Sequence, residues 1–434
     1  MPGTESQTVP SLAAQEETRR LRRAVEELSV LNDLSRAIGA SLNLQDIMQT
    51  IIHRSLRAIH AEQGVITLVD QEANQSMKTL VRTMVSSSKH AQFHFNQSLL
   101  GWMHLNKKPL LITEPKTDER FRGVQWDESI HSLLCVPMMA KSNLIAVLTV
   151  YNKRDGGQFS EEDQRLLAII AAQSAQVVEN ARLYEEEQAL HRMKEEVRLA
   201  ARIQVDLLPK SSPEIPGYDI AGRSIAAQLV GGDYFDFVPM EGGRYAICLG
   251  DVSGKGLPAS LLMANLQATL RGQTLLNPPA KLCLQRSNKL LYQSTSSEKF
   301  VTLFYSILDP STHTLSFSNA GHDAPMLFAR GGDIRRLETG GIVLSILEEF
   351  PYEEESATLT PGDTLVIYSD GITEAINPNQ ELFGEERLLA TIRSHRDATA
   401  NEMIDHIVAT VKAHAGPTPQ ADDMTLVVIK RTGL

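Results

Sequence analysis

The stretch LGDVSGKGLPASLLMANL, residues 249–266, closes an apolar strand on a carboxylate and opens a helix after a glycine-rich turn. A carboxylate at the end of a buried strand is badly placed in a core. It is well placed at a rim, where rigid strands converge oxygen ligands on a hard cation. Gly250 and Gly254 let the backbone come close to a cation, and the helix from Pro258 turns its positive N-terminus toward any anion bound there. Three further stretches repeat the pattern: GGDYFD, SDGITEA and ADDMTLVV put Asp233, Asp370 and Asp422 at strand ends. Each aspartate alone fits a turn or a cap equally well. Four in one site cannot all stay ionised without cations, because like charges raise one another's pKa. Two divalent ions resolve the conflict, and an anionic substrate follows from them.

Outward from that stretch, strands are expected near 218–224, 233–240, 244–250, 301–308, 314–319, 364–369 and 424–430, and helices at 258–273, 279–293, 385–395 and 401–414. Separate blocks of strands and helices predict an α+β sandwich. Asp236 and Asp423, beside the candidate ligands, read as acceptors behind them, as a third weak cation position, or as solvated surface groups. His322, in NAGH, reads as a residue that orients a loop.

The N-terminal half has its own pattern. Leu21, Val25, Leu28, Leu31, Leu34 and Ile38 mark one face of a helix over 18–40, and a second helix is expected over 44–60. Strands follow at 64–70 and 78–84, a short helix at 99–105, and a strand pair at 132–140 and 144–153 around Lys141-Ser142-Asn143. A helix capped by Ser160, with Asp163 three residues on, has no stop signal before Leu208-Pro209. Over 185–208 its apolar residues fit heptad slots. Glu186 and Gln204 interrupt that seam, so a coiled coil and a single amphipathic connecting helix both fit.

At 434 residues the chain is sized for two or three domains. Its net charge of -11 falls mostly in residues 200–434, with 28 acidic side chains to 19 basic, which argues against a nucleic-acid-binding surface. No apolar run reaches the ~18 residues of a membrane span. Residues 1–17 read as a polar, disordered tail without signal-peptide character, and a cytoplasmic location follows. Cys135, Cys248 and Cys283 are scattered in apolar runs, as reduced core thiols are.

Residues 199–432 resemble the SpoIIE-type branch of the metal-dependent protein phosphatase (PPM) superfamily, which includes the RsbU-type phosphatases. The phrases AARIQVDLLP (200–209), LVGGDYFDF (229–237), LGDVSGKGLPASLLMANL, FVTLFYSILDP (300–310), NAGH (319–322), LVIYSDGITEA (365–375) and DDMTLVVI (422–429) carry the likeness in order. It implies a PPM-type α/β-β/α sandwich in which Asp251 bridges two Mn²⁺ or Mg²⁺ ions and the Val252 carbonyl joins one of them. Asp233, Asp370 and Asp422 would complete the set, with Asp251 and Asp233 central to catalysis. Ser253 stands where eukaryotic-type relatives have a histidine, so no protein acid is evident for the leaving group.

Residues 28–184 resemble a GAF domain through SLLGWMHLNKKPLLI (98–112), SLLCVPMMAKSNLIAVLTVYNK (132–153) and FSEEDQRLLAIIAAQSAQVVENARLY (159–184). Asn152, Lys153, Phe159 and Asp163 match part of a cyclic-nucleotide signature, with Gln164 in place of its glutamate. A hairpin end and a helix cap explain the same letters. His53, His60, His90, His94, His104 and His131 are too dispersed to read as haem ligands. The expected organisation is a tail (1–17), an N-terminal helix with a GAF domain (18–184), a helical linker (185–208) and a phosphatase domain (209–434). The resemblance implies a GAF-regulated serine/threonine phosphatase acting on a phosphorylated STAS-domain anti-sigma-factor antagonist. The unpartnered helix stripes suggest a homodimer, and the GAF ligand is left open. A non-catalytic scaffold and a two-metal phosphoesterase of small molecules are the alternatives.

Overall fold

The computed structural model describes residues 43–69, 77–84 (backbone only), 97–296 and 298–433. The expected tail over 1–17, the helix over 18–40, and His90 and His94 lie outside the described residues. The chain divides into two compact units, Met1–Arg192 and Met193–Leu434. Among the described residues no helix is long and apolar enough to cross a membrane.

In the first unit, helix α1 (Leu44–Ala58) starts where the Asn43 side chain accepts the Gln45 N–H, and it buries Ile47, Met48, Ile51 and Ile52 along one face. Strands β1 (Ala61–Val69), β2 (Met77–Met84), β3 (Leu110–Ile112), β4 (Leu133–Ala140) and β5 (Asn143–Lys153) form one antiparallel sheet in the order β2-β1-β5-β4-β3. Helix α1 and the start of α3 (Glu161–Leu207) cover one face of this sheet. Helix α2 (Gln97–Asn106), Phe121 from the short 3-10 turn Glu119–Phe121, and Ile130 cover the other. Lys141 and Ser142 turn β4 into β5 with φ of 46° and 71°, the paired left-handed residues a two-residue hairpin needs.

The letters shared with the cyclic-nucleotide signature hold this unit together. Asn152 Oδ1 accepts the His131 N–H at 2.8 Å, and its Nδ2 donates to the Ser129 carbonyl at 2.8 Å. Lys153 Nζ pairs with Asp163 Oδ2 at 2.7 Å, while Ser160 and Asp163 exchange reciprocal capping bonds at the start of α3.

Helix α3 runs without a break through the division between the units and stops before Pro209, as its missing stop signal requires. Its buried residues end at Ala181. Beyond that point Leu183, Leu190, Met193, Leu199 and Ile203 are exposed.

The second unit is a double sheet between helix pairs. Strands β7 (Tyr234–Pro239), β8 (Tyr245–Val252), β9 (Val301–Asp309), β10 (Thr314–Ala320) and β13 (Gly340–Gly341) make one sheet, with β14 (Glu355–Thr358) added on β10. The other sheet has the order β12-β11-β15-β16-β6, from β6 (Tyr218–Ile225), β11 (Met326–Phe328), β12 (Ile334–Arg336), β15 (Thr364–Tyr368) and β16 (Met424–Arg431). Period-two alternation explains the layers. Along β7 and β8, Phe235, Ile247 and Leu249 point between the sheets to meet Leu365, Ile367 and Val427. Tyr234, Ala246 and Cys248 face α4 (Leu257–Thr274) and α5 (Ala280–Ser294). Val366, Tyr368 and Val428 on the second sheet face α7 (Gly384–Ser394) and α8 (Ala400–Ala415). The sandwich expected from the sequence is therefore present. The short strands β11 to β14 and the one-turn helix α6 (Asp370–Thr373) are additions, too brief to leave a periodic pattern. All three cysteines are free and buried.

Candidate metal centre

Antiparallel pairing gathers the aspartates. β7 begins where its neighbour β8 ends, with Tyr234 opposite Gly250, so Asp233 and Asp251 lie side by side at one end of the first sheet. β15 ends where β16 begins, with Tyr368 opposite Leu426, and this brings Asp370 to Asp422 and Asp423 on the second. Both strand ends open on the same rim.

The electrostatics are those of crowded carboxylates. Burial, reinforced by the charge of Asp251, holds the Asp233 carboxyl well above the usual carboxylate range. Burial, then Asp370 and Asp422, raise Asp251 to about 7. Asp370 is raised to about 6 by burial, then by Asp422 and Glu374. Asp233 Oδ2 is buried and has no hydrogen-bond partner. An orphaned carboxylate oxygen amid mutually repelling carboxylates fits a cation, so the donor set suits the divalent ions expected from the sequence.

The backbone is shaped to the same end. A Cβ on Gly232 would stand 2.9 Å from the Val252 carbonyl oxygen and 3.1 Å from Asp251 Oδ1, so any side chain there would crowd that donor pair. One on Gly371 would meet the Asp423 carbonyl oxygen at 2.1 Å. Glycine is required at both positions.

Several contributors were not legible as such in the sequence. Asp423, 7% exposed, accepts the N–H groups of Gly232 at 2.7 Å and Ala227 at 2.8 Å, and so fixes the loop that carries Asp233. Asp236 is not a solvated surface group, nor is it free to hold a cation. It is 1% exposed and accepts Arg271 Nε at 2.7 Å, the Tyr234 hydroxyl at 2.5 Å and the Phe237 N–H at 2.8 Å. Its register on β7 turns it toward α4, where Arg271 supplies the compensating positive charge. Gln204, read in the sequence as an interruption of a heptad seam, pairs with Gly231 at two points. Its Nε2 donates to the Gly231 carbonyl at 2.6 Å, and its Oε1 accepts the Gly231 N–H at 3.0 Å. Polarity inside an apolar pattern was the available signal. Lys255 Nζ donates to Asp422 Oδ2 at 2.9 Å and to the Ala421 carbonyl at 2.7 Å. His322 stands behind the rim: its Nδ1 meets Thr302 Oγ1 at 2.9 Å, and burial holds its imidazole down at about 4, neutral at physiological pH.

The second unit is thus a double sheet flanked by helices, with aspartates on one rim. Residues 241–432 match the family model for Stage II sporulation protein E (SpoIIE), and residues 41–179 match a GAF domain model. The chain thus carries a segment similar to the SpoIIE family behind a segment similar to GAF domains. It is 29% identical over 255 residues to phosphoserine phosphatase RsbU of Bacillus subtilis, an alignment covering 57% of this chain and 75% of that protein. Protein IcfG of Synechocystis is 27% identical over 266 residues, which cover 54% of this chain and 41% of IcfG, so less than half of that relative is spanned. The SiaA-PP2C domain of Pseudomonas aeruginosa superposes with a TM-score of 0.49 at 20% identity, covering 56% of this chain and 98% of that one.

Proposed function

We propose that the chain is a metal-dependent protein phosphatase that hydrolyses phosphoserine or phosphothreonine on a phosphorylated STAS-domain anti-sigma-factor antagonist. The observation that carries this reading is the rim of aspartates, with raised pKa values and the partnerless Asp233 Oδ2. Asp251 would bridge two divalent cations, Mn²⁺ or Mg²⁺, with the Val252 carbonyl, Asp233, Asp370 and Asp422 completing the set. Once bound, the ions would neutralise the phosphoryl group and activate the attacking water. The chain's own residues supply position: Asp423 fixes the Asp233 loop, and Gly232 keeps space beside the Val252 carbonyl. The protein-phosphatase substrate class is supported by the likeness to RsbU.

GAF control is proposed to pass along α3 to Gln204, whose two bonds to Gly231 reach the loop before Asp233. The exposed apolar residues of α3, among them Leu190, Met193 and Ile203, support a homodimer paired along that helix. The buried free thiols fit a cytoplasmic location. The test of substrate class is phosphate release, in Mn²⁺, from a phosphoserine STAS protein against a panel of nucleotides and sugar phosphates. Preference for the protein by a hundredfold or more in kcat/KM is expected. Faster turnover of any small phosphate would move the assignment to a small-molecule phosphoesterase, and no turnover of either would leave a scaffold.

A further inference from the structure

We propose that Lys255 is a built-in counter-cation of the metal centre: it holds Asp422 until the second cation displaces it, and so sets how tightly that cation binds. The inference rests on the metal-centre reading above. Among the described residues, Lys255 makes the one direct ion pair to any of the four candidate ligand aspartates. Its ammonium bonds Asp422 Oδ2 at 2.9 Å and the Ala421 carbonyl at 2.7 Å, so it ties the turn after β8 to the loop before β16. The turn that presents it takes a shape glycine allows: Gly254 and Gly256, on either side, have φ of 98° and 71°, a region that other residues rarely enter. A second ammonium, that of Lys299, lies over the same turn but donates to the Ser253 carbonyl at 3.1 Å, not to a carboxylate.

Exposure makes Lys255 a latch and not a permanent partner. The Lys255 and Asp422 side chains are 51% and 38% exposed, so the pair is solvent-screened and weak. A divalent cation brings twice the charge to the same oxygen. The apparent affinity of a site falls by the fraction of molecules in which it is free to bind, and a latch of surface strength lowers that fraction about two- to fivefold.

The experiment titrates Mn²⁺ into EDTA-stripped, full-length protein at pH 7.5, with free Mn²⁺ followed by electron paramagnetic resonance and no substrate present. Wild type is expected to bind one tighter and one weaker ion. Lys255→Met keeps the side chain's length and removes its charge. It should tighten the weaker ion about two- to fivefold and leave the tighter one in place, while Lys255→Arg stays near wild type. Unchanged or weakened binding of the second ion in both Lys255→Met and Lys255→Gln overturns the proposal. So does unchanged Mn²⁺ affinity with weaker competition by inorganic phosphate, which would make Lys255 a phosphate ligand. Failure of wild type and variants alike to bind Mn²⁺ overturns the metal-centre reading itself, a result distinct from equal binding by all.

Discussion

Asp251 and Asp370, raised to about 7 and about 6, make the metal-free rim a pH-dependent liability. A carboxyl whose folded pKa is raised favours the folded state while protonated. The stability it contributes is whole below the unfolded value near 4 and is lost as pH climbs through the folded values. EDTA-treated protein should therefore melt roughly 5 °C or more lower at pH 8 than at pH 5. Mn²⁺ should restore most of that loss at pH 8 and add little at pH 5, as read by scanning fluorimetry; a metal effect equal at both values would contradict the charge argument. At this scale the sequence was informative for the residues whose chemistry is written in their type and place. Asp233, Asp251, Asp370 and Asp422 stood out because aspartate at the end of an apolar strand is anomalous. Asp423 and Asp236 did not resolve, because an aspartate that accepts backbone N–H groups and one that faces solvent have the same local sequence. The bond from Asp423 to Gly232 joins residues 191 positions apart. The partners of Asp236 are set by which face of β7 it occupies and by where α4 passes, both matters of packing.

The elements around the rim are coupled by a few polar pairs, and two of these can be tested. Arg271, near the C-terminal end of α4, is about half exposed, but its partner Asp236 is buried, so Arg271→Met strands a carboxylate in the helix-facing layer. After allowance for the exposure of the arginine, a loss of about 2 kcal/mol is expected, roughly a 5 °C fall in melting temperature, and an unchanged melt would show the pair to be dispensable. Gln204 bears on the loop rather than on stability. Gln204→Ala releases Gly231 and should lower kcat about 10- to 100-fold with little change in KM, the usual penalty when a group that orients a metal ligand is removed. A change in KM alone would contradict a positioning role. Long elements were legible throughout: α3 is continuous over Glu161–Leu207 because nothing in its sequence stops it before Pro209. What Gln204 does could not be read from α3 itself, since its partner is a backbone 27 residues away.

At the scale of the whole molecule, the account holds that a sensory domain and a phosphatase domain share one helix. Full-length protein and a form lacking residues 1–195 should then differ at least threefold in kcat on the same phosphoprotein, whichever form is faster. Equal rates would remove the GAF domain from control. The central claim is that the rim is a two-cation phosphatase site built on Asp251. It is tested most directly by phosphate release from a phosphoserine STAS protein in Mn²⁺ and in EDTA, for wild type and Asp251→Asn. The account predicts turnover in Mn²⁺ alone, and a loss of more than about a hundredfold in Asp251→Asn, since even removal of an outer-shell partner typically costs 10–100-fold. Turnover that survives EDTA, or an Asp251→Asn variant as active as wild type, would contradict it.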